Sequence, residues 1–200
     1  MKQLIKTLVV ALSACWLAVT PALGAAPTAF VKGILDEVMA IQNNPALQGA
    51  AKENERAQAI RRVIQKNFDF PFMAQDSLGP AYDRLNPGQR QEFTGVFSSL
   101  FQASYTNMVL RFLKQETIKY GKESLTGSQA RVDTNLVRAN DTIKVEYLLH
   151  QKGGSWLLYD VVVDGVSILD KYKTGFAREV QGGSIEPLLE KMKTQLKSLQ

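Results

Sequence analysis

The sequence predicts an α+β domain, a twisted antiparallel sheet of about four strands wrapped by helices. Three observations predict it. Apolar residues recur at helical spacing through the first half of the chain and again at its end. Between these stretches, residues 117–164 hold four β-type runs joined by short connections. One run, Trp156-Leu157-Leu158-Tyr159-Asp160-Val161-Val162-Val163, is apolar on both faces and is bounded by Gly153-Gly154 and Asp164-Gly165. A strand of that kind belongs inside a layered core, and one of its faces could line a greasy hollow.

The N-terminus addresses the compartment. Met1-Lys2-Gln3-Leu4-Ile5-Lys6 is basic, an apolar run covers Thr7 to Val19, and the small residues Ala22-Leu23-Gly24-Ala25-Ala26 follow. That order is expected of a secretory signal peptide, here residues 1–24, with cleavage after Gly24 or, alternatively, after Ala25. Leu12-Ser13-Ala14-Cys15 has the form of a lipoprotein processing box. However, Trp16-Leu17-Ala18-Val19 carries the apolar run past the cysteine, which favours cleavage over lipidation. Removing the leader leaves one domain, 25–200, without the single cysteine, so disulfide and thiol chemistry are excluded there. Lys2 and Lys6 go with it, and the net charge falls from +5 to +3. The remaining cations are interleaved with acids, as in Lys52-Glu53-Asn54-Glu55-Arg56, which argues against a nucleic-acid partner. No later segment approaches the ~20 apolar residues of a membrane span.

Each element has its own signal. Thr28 is expected to cap a helix with Phe30, Val31, Ile34, Leu35, Val38 and Ile41 as its apolar positions, ended by Asn43-Asn44-Pro45. A second helix is expected from Glu53 to Phe68, followed by a short irregular or helical stretch through Asp69-Phe70-Pro71-Phe72 and Leu78-Gly79-Pro80. Asn86-Pro87 opens the longest helix with a cap and a proline at its first position. It should run to about Leu113, on the order of 40 Å. Beyond Phe101 its apolar residues extend nearly around the helix, which predicts burial on several sides. The strands are expected at Thr117–Tyr120, Ala130–Val137, Ile143–Leu149 and Trp156–Asp164. In the last of these, simple alternation puts Trp156, Leu158 and Val162 on one face and Leu157, Tyr159, Val161 and Val163 on the other. Helix returns after Ser167 through Tyr172 and Phe176, and a final amphipathic helix carries Leu188, Leu189, Met192, Leu196 and Leu199.

Little here points to catalysis. One histidine, His150, and no cysteine in the exported chain exclude His/Cys metal sites, and no serine sits in a glycine-flanked elbow. Asp160 stands on the inward side of a strand, where it is either a carboxylate bonded to backbone amides or a cation, or a general base in a greasy pocket. The first reading is favoured. Trp156, Tyr159 and Tyr172 read as core anchors.

The segments Phe68-Asp69-Phe70, Leu78-Gly79, Asn86-Pro87-Gly88-Gln89-Arg90-Gln91-Glu92-Phe93 and Trp156 through Ser167 together resemble the MlaC family, also called the toluene-tolerance Ttg2D family. Tyr159-Asp160 and Asp164-Gly165-Val166-Ser167 are the most specific part, and the resemblance runs from about Phe30 to Leu199. It implies an NTF2-like arrangement enclosing an apolar cavity for phospholipid acyl chains, with no cofactor and no enzymatic step. It also implies a periplasmic carrier that maintains outer-membrane lipid asymmetry. Its partners would be an outer-membrane lipoprotein complex and an inner-membrane ABC transporter with an MCE-type substrate-binding subunit. On that basis the lipid-binding wall is expected at Tyr105, Met108, Val109 and Phe112 of the long helix. The sheet would add Val132, Val145, Tyr147, Leu149, Leu158 and Val162, and the return segment Val166, Ile168, Tyr172 and Phe176. Lys171, Lys173 and Arg178 are candidate anion contacts near the mouth. The alternatives are an NTF2-like enzyme using Asp160 as base on a small hydrophobic substrate, a carrier of a non-phospholipid such as a hopanoid, and a structural adaptor with no cavity.

Overall fold

The computed structural model describes residues 26–114, 116–180 and 183–199. The expected signal peptide and Cys15 lie outside the described residues. Seven helices and five strands follow in the order α1 (Pro27–Gln42), α2 (Glu53–Asn67), α3 (Phe70–Leu78), α4 (Pro80–Asp83), α5 (Pro87–Phe112), β1 (Thr117–Thr126), β2 (Gln129–Val137), β3 (Thr142–Lys152), β4 (Ser155–Val163), β5 (Val166–Ser167), α6 (Ile168–Glu179) and α7 (Glu186–Ser198). Two short 3-10 turns, Pro45–Leu47 and Ala50–Lys52, join α1 to α2.

The long helix starts where the sequence places it. The Asn86 side chain accepts from the Gln89 N–H at 3.0 Å, and the Gln89 side chain accepts from the Asn86 N–H at 3.1 Å. This reciprocal cap satisfies two donors that a helix start otherwise leaves free. Over its first half α5 buries Phe93, Phe97, Leu100 and Phe101 to 1% exposure or less. Phe97 meets Tyr172 at 5.4 Å and Phe93 meets Phe176 at 5.7 Å between ring centres. The helix packs on α2, α3 and α7. Its C-terminal half departs from the expected all-round burial, because Phe112 is 48% exposed and only Ala103, Thr106 and Val109 are buried beyond Phe101.

The sheet is antiparallel in the order β1-β2-β3-β4-β5. Strand β1 runs to Thr126 rather than Tyr120, since a register shift between Tyr120 and Glu123 masks its continuation in the sequence pattern. The fifth strand pairs with the end of β4 across Asp164-Gly165, where φ is 47° and 80°. Two left-handed residues in a row form the tight hairpin turn that suits twisted strands. On the first half of β4, Phe68 bridges to Leu158, and the Asp69 N–H donates to the Leu158 carbonyl at 2.8 Å. Thus β4 is lined along its outer side by residues 68–69 and then by β5.

Helix α1 lies against β1, β2 and α2. Thr28 is not its cap: that position is Ala26, and Thr28 instead donates its hydroxyl and N–H to Glu123 of β1 at 2.5 and 2.8 Å. At the other end Gln42, 8% exposed, donates to the α5 carbonyls of Val109 and Leu113 at 3.2 and 2.6 Å. Helix α1 is therefore tied to β1 at its start and to α5 at its finish.

Candidate functional site

Between the C-terminal half of α5, helix α1 and the sheet lies a cleft of about 280 Å³. Helix α5 supplies Tyr105, Met108, Val109 and Phe112, and Leu113 continues the same wall. Helix α1 adds Ile34, Leu35 and Val38, a stripe one turn apart that faces inward by helical periodicity. Ile64 of α2 and Phe68 close one side. The floor is the inner face of the sheet, from Leu136 through Ile143, Val145 and Tyr147 to Leu158, Val161 and Val163. Asp164 is the one charged residue at its edge, and its carboxylate accepts the Lys144 N–H at 2.9 Å.

Electrostatically the cleft is inert. Burial pushes the Tyr105 phenol well up, and the nearby Asp160 charge adds to it. Burial raises Tyr147 likewise. Both rings stay neutral across any physiological pH and present apolar faces to the space.

The structure brings seven of the expected wall residues to this cleft: Tyr105, Met108, Val109, Phe112, Val145, Tyr147 and Leu158. Val132 and Leu149 share the inner face of the sheet but are packed in the core at 1% and 0% exposure. Val162 does not line the cleft. The pairing of β3 with β4 steps from Leu148↔Asp160 to Leu149↔Leu158, which leaves Tyr159 as an extra residue. This bulge reverses the alternation beyond it, so Val161 and Val163 face inward and Val162 lies opposite Glu146 on the outer face. Val166 is the cross-strand partner of Val163 at the sheet edge and is 45% exposed. Ile168, Tyr172 and Phe176 are elsewhere, on α6, where they line a groove against α7. Lys171 and Arg178 belong to that groove too, and Lys173 pairs with Asp76 at 2.7 Å, so none of the three stands at the cleft. The α1 stripe carried the same apolar periodicity in the sequence, but periodicity does not tell a core face from a cleft face.

The two buried aspartates have structural tasks. Asp160, 5% exposed, accepts from the Val161 and Leu169 N–H groups at 2.8 and 3.0 Å and from the Ser167 hydroxyl at 2.6 Å. Burial raises its carboxyl and these bonds pull it back, with a net rise. It does not line the cleft. Asp69, 2% exposed, receives Lys152 Nζ at 2.8 Å and His150 Nε2 at 3.0 Å, and it caps α3 by accepting from the Phe72 N–H at 3.3 Å. Burial pushes its carboxyl up, but the bonds from Lys152, Phe72 and His150 outweigh that and hold it below the ordinary range. His150 also packs edge-on to Phe72 at 4.7 Å. Among the described residues no three His, Cys, Asp or Glu side chains are grouped to hold a metal ion.

The cleft is walled mainly by apolar side chains, with the Asp164 carboxylate at its edge. The model of the MlaC family, described as MlaC protein, matches residues 32–194. This chain belongs to the MlaC family. The MlaC relatives it resembles include the intermembrane phospholipid transport system binding protein MlaC of Haemophilus influenzae, 22% identical over 66% of this chain and 64% of that protein. The chain thus spans a little under two thirds of that relative. The toluene tolerance protein ttg2D of Pseudomonas putida is 25% identical over 78% of this chain and 73% of that protein. A solved structure of a phospholipid-binding protein from Ralstonia solanacearum in complex with a phospholipid superposes with a TM-score of 0.75. The match covers 86% of this chain and 97% of that one at 22% identity, and shows that this chain shares its fold.

Proposed function

We propose that this protein is a phospholipid carrier that holds acyl chains in the cleft between α1, α5 and the sheet. One observation carries the reading: a space walled by side chains of three helices and three strands is apolar except at its Asp164 edge and is left unfilled by the protein. Dry apolar hollows are costly to leave empty and favourable to fill with hydrocarbon. Each CH₂ withdrawn from water contributes about 0.8 kcal/mol. The volume of 280 Å³ sits at the small end of ligand pockets, which run from roughly 300 Å³ upward. Loading two chains therefore requires the walls to part.

The carrier reading extends to place and partners. The chain is exported to the periplasm by cleavage of residues 1–24. There it shuttles phospholipid between an outer-membrane lipoprotein complex and an inner-membrane ABC transporter with its MCE-type subunit, which preserves outer-membrane lipid asymmetry. The names of the relatives support this, and transfer by differential affinity needs neither cofactor nor catalysis. The engagement of Asp160 by two backbone N–H groups and Ser167 speaks against a role as catalytic base.

Organic extraction and mass spectrometry of the protein purified from its host is the test. Stoichiometric phospholipid is the expected result. A hopanoid in its place would keep the carrier and change the cargo. Protein that comes out empty and takes up no lipid from vesicles would overturn the reading.

A further inference from the structure

On the far flank of the last turn of α5 lies a second, open pocket of about 1120 Å³. Its charged lining is Arg56, Arg111, Lys114 and Arg138 against Glu53 and Glu116. The two spaces share their elements and divide them by face. On α5 and just past it, Val109, Phe112 and Leu113 face the cleft, while Leu110, Arg111 and Lys114 face the polar pocket. At the end of β2, Leu136 faces the cleft and Val137 the pocket, with Arg138 following. The separation is that of one helix, roughly 10 Å.

Arg138 joins the two. Its guanidinium carbon lies 5.6 Å from the centre of the Phe112 ring, and Nη2 donates to the Phe112 carbonyl at 2.6 Å. Phe112 is itself a half-exposed residue of the cleft wall. We propose that this cationic pocket receives the phosphodiester of a phospholipid whose tails occupy the cleft, with Arg138, Arg111 and Lys114 as its donors. The proposal rests on the carrier reading above.

The chemistry favours an anion there. Glu116 is occupied by Arg138 Nε at 3.1 Å and by the Lys114 N–H, so its charge orients Arg138. A guanidinium has five N–H donors, and these two bonds leave others for a phosphate. Arg111 and Lys114 have no ion-pair partner among the described residues, and both are exposed. The acidic edge at Asp164 is spent on the Lys144 N–H. A phosphate leaving water beside an apolar cleft needs charged donors that are already in place, and Arg138 of this pocket already touches Phe112 of the cleft wall.

The test compares the wild-type chain with the double variant Arg111→Gln, Lys114→Gln, whose altered side chains are solvent-exposed and off the cleft wall. Binding of phosphatidylglycerol and of a diacylglycerol with the same tails is measured by transfer from vesicles, and inorganic phosphate is titrated onto lipid-free protein. The variant is expected to lose roughly tenfold in phosphatidylglycerol affinity and nothing for diacylglycerol. The wild-type advantage should fade as salt rises to roughly 0.5 M. Equal phospholipid affinity in the two proteins overturns the subsite, as does an equal loss for diacylglycerol, which would make these residues a matter of packing. Inorganic phosphate binding that the variant loses without a change in phospholipid affinity would assign the pocket to a free anion, against the proposal. Failure of the wild-type protein to bind either lipid would instead sink the carrier reading and take the subsite with it.

Discussion

The side-chain amide of Gln42 donates to the carbonyl oxygen of Leu113 at 2.6 Å, across 71 residues of sequence. It also reaches the Val109 carbonyl at 3.2 Å, which already accepts the Leu113 N–H that caps α5 at 2.9 Å. Replacing Gln42 by Leu should cost about 1–3 kcal/mol, because the Leu113 carbonyl loses its side-chain donor while Val109 keeps the Leu113 N–H. Urea unfolding of the two proteins measures this. A midpoint unchanged within error would mean that α1 is not fastened to α5 by this contact.

Neighbouring valines on β4 should behave oppositely. Val163 lines the cleft, whereas Val162 lies opposite Glu146 on the face that carries the Arg131–Glu146 ion pair at 2.6 Å. Val163→Lys should greatly reduce lipid loading from vesicles, while Val162→Lys should leave it close to wild type. Circular dichroism would verify that both variants are folded. Equal loading of the two would contradict the bulge at Tyr159 as the feature that sets the inner face.

Asp69 should make stability depend on acid. Its folded carboxyl lies below the ordinary value of 3.8, so the unfolded chain binds its proton first as pH falls. Its contribution is complete above the unfolded value and is lost as pH drops through the folded one. Asp69→Asn should lower stability by about 1–3 kcal/mol near neutrality, and the gap to wild type should close under acid. Denaturation midpoints taken from neutral pH downward give both numbers. A gap that stays constant with pH would show that the Lys152 and His150 contacts add nothing through charge.

Asp160 has the opposite sign. Its folded carboxyl is raised, so burial of the ionised form weakens the fold as pH climbs through that range, and its bonds offset only part of this. Asp160→Ala strands the N–H groups of Val161 and Leu169 and should still destabilise by about 1–3 kcal/mol. Lipid loading of the folded fraction should not change. A variant as stable as wild type that no longer holds lipid would put Asp160 in the binding site after all.

Much of this architecture was legible in the chain. Asn86-Pro87 with Gln89 three residues into the helix announces its own start, and β2 alternates without interruption. The failures have local physical causes. Tyr159 adds one residue to β4, and a period-two reading carried through it assigns Val162 to the wrong face. A similar irregularity between Tyr120 and Glu123 conceals half of β1. Tyr172 and Phe176 pack on Phe97 and Phe93 and line the α6–α7 groove, while Ile34, Leu35 and Val38 line the cleft. All five of these α6 and α1 residues are apolar at helical spacing. Whether such a face meets protein or an empty space is settled by how the helices are stacked, which no local pattern contains.

The seam that Phe68-Asp69 and Val166-Ser167 make along β4 bears on how the molecule behaves in a crowded compartment. Its own chain covers that border at Leu158 and at Val162–Val163, which shortens the stretch a foreign strand could pair with. On the opposite border, β1 carries Lys119 and Lys122, and the break after Tyr120 spoils the template. The sheet is thereby guarded along part of the margin where sheets most readily polymerise.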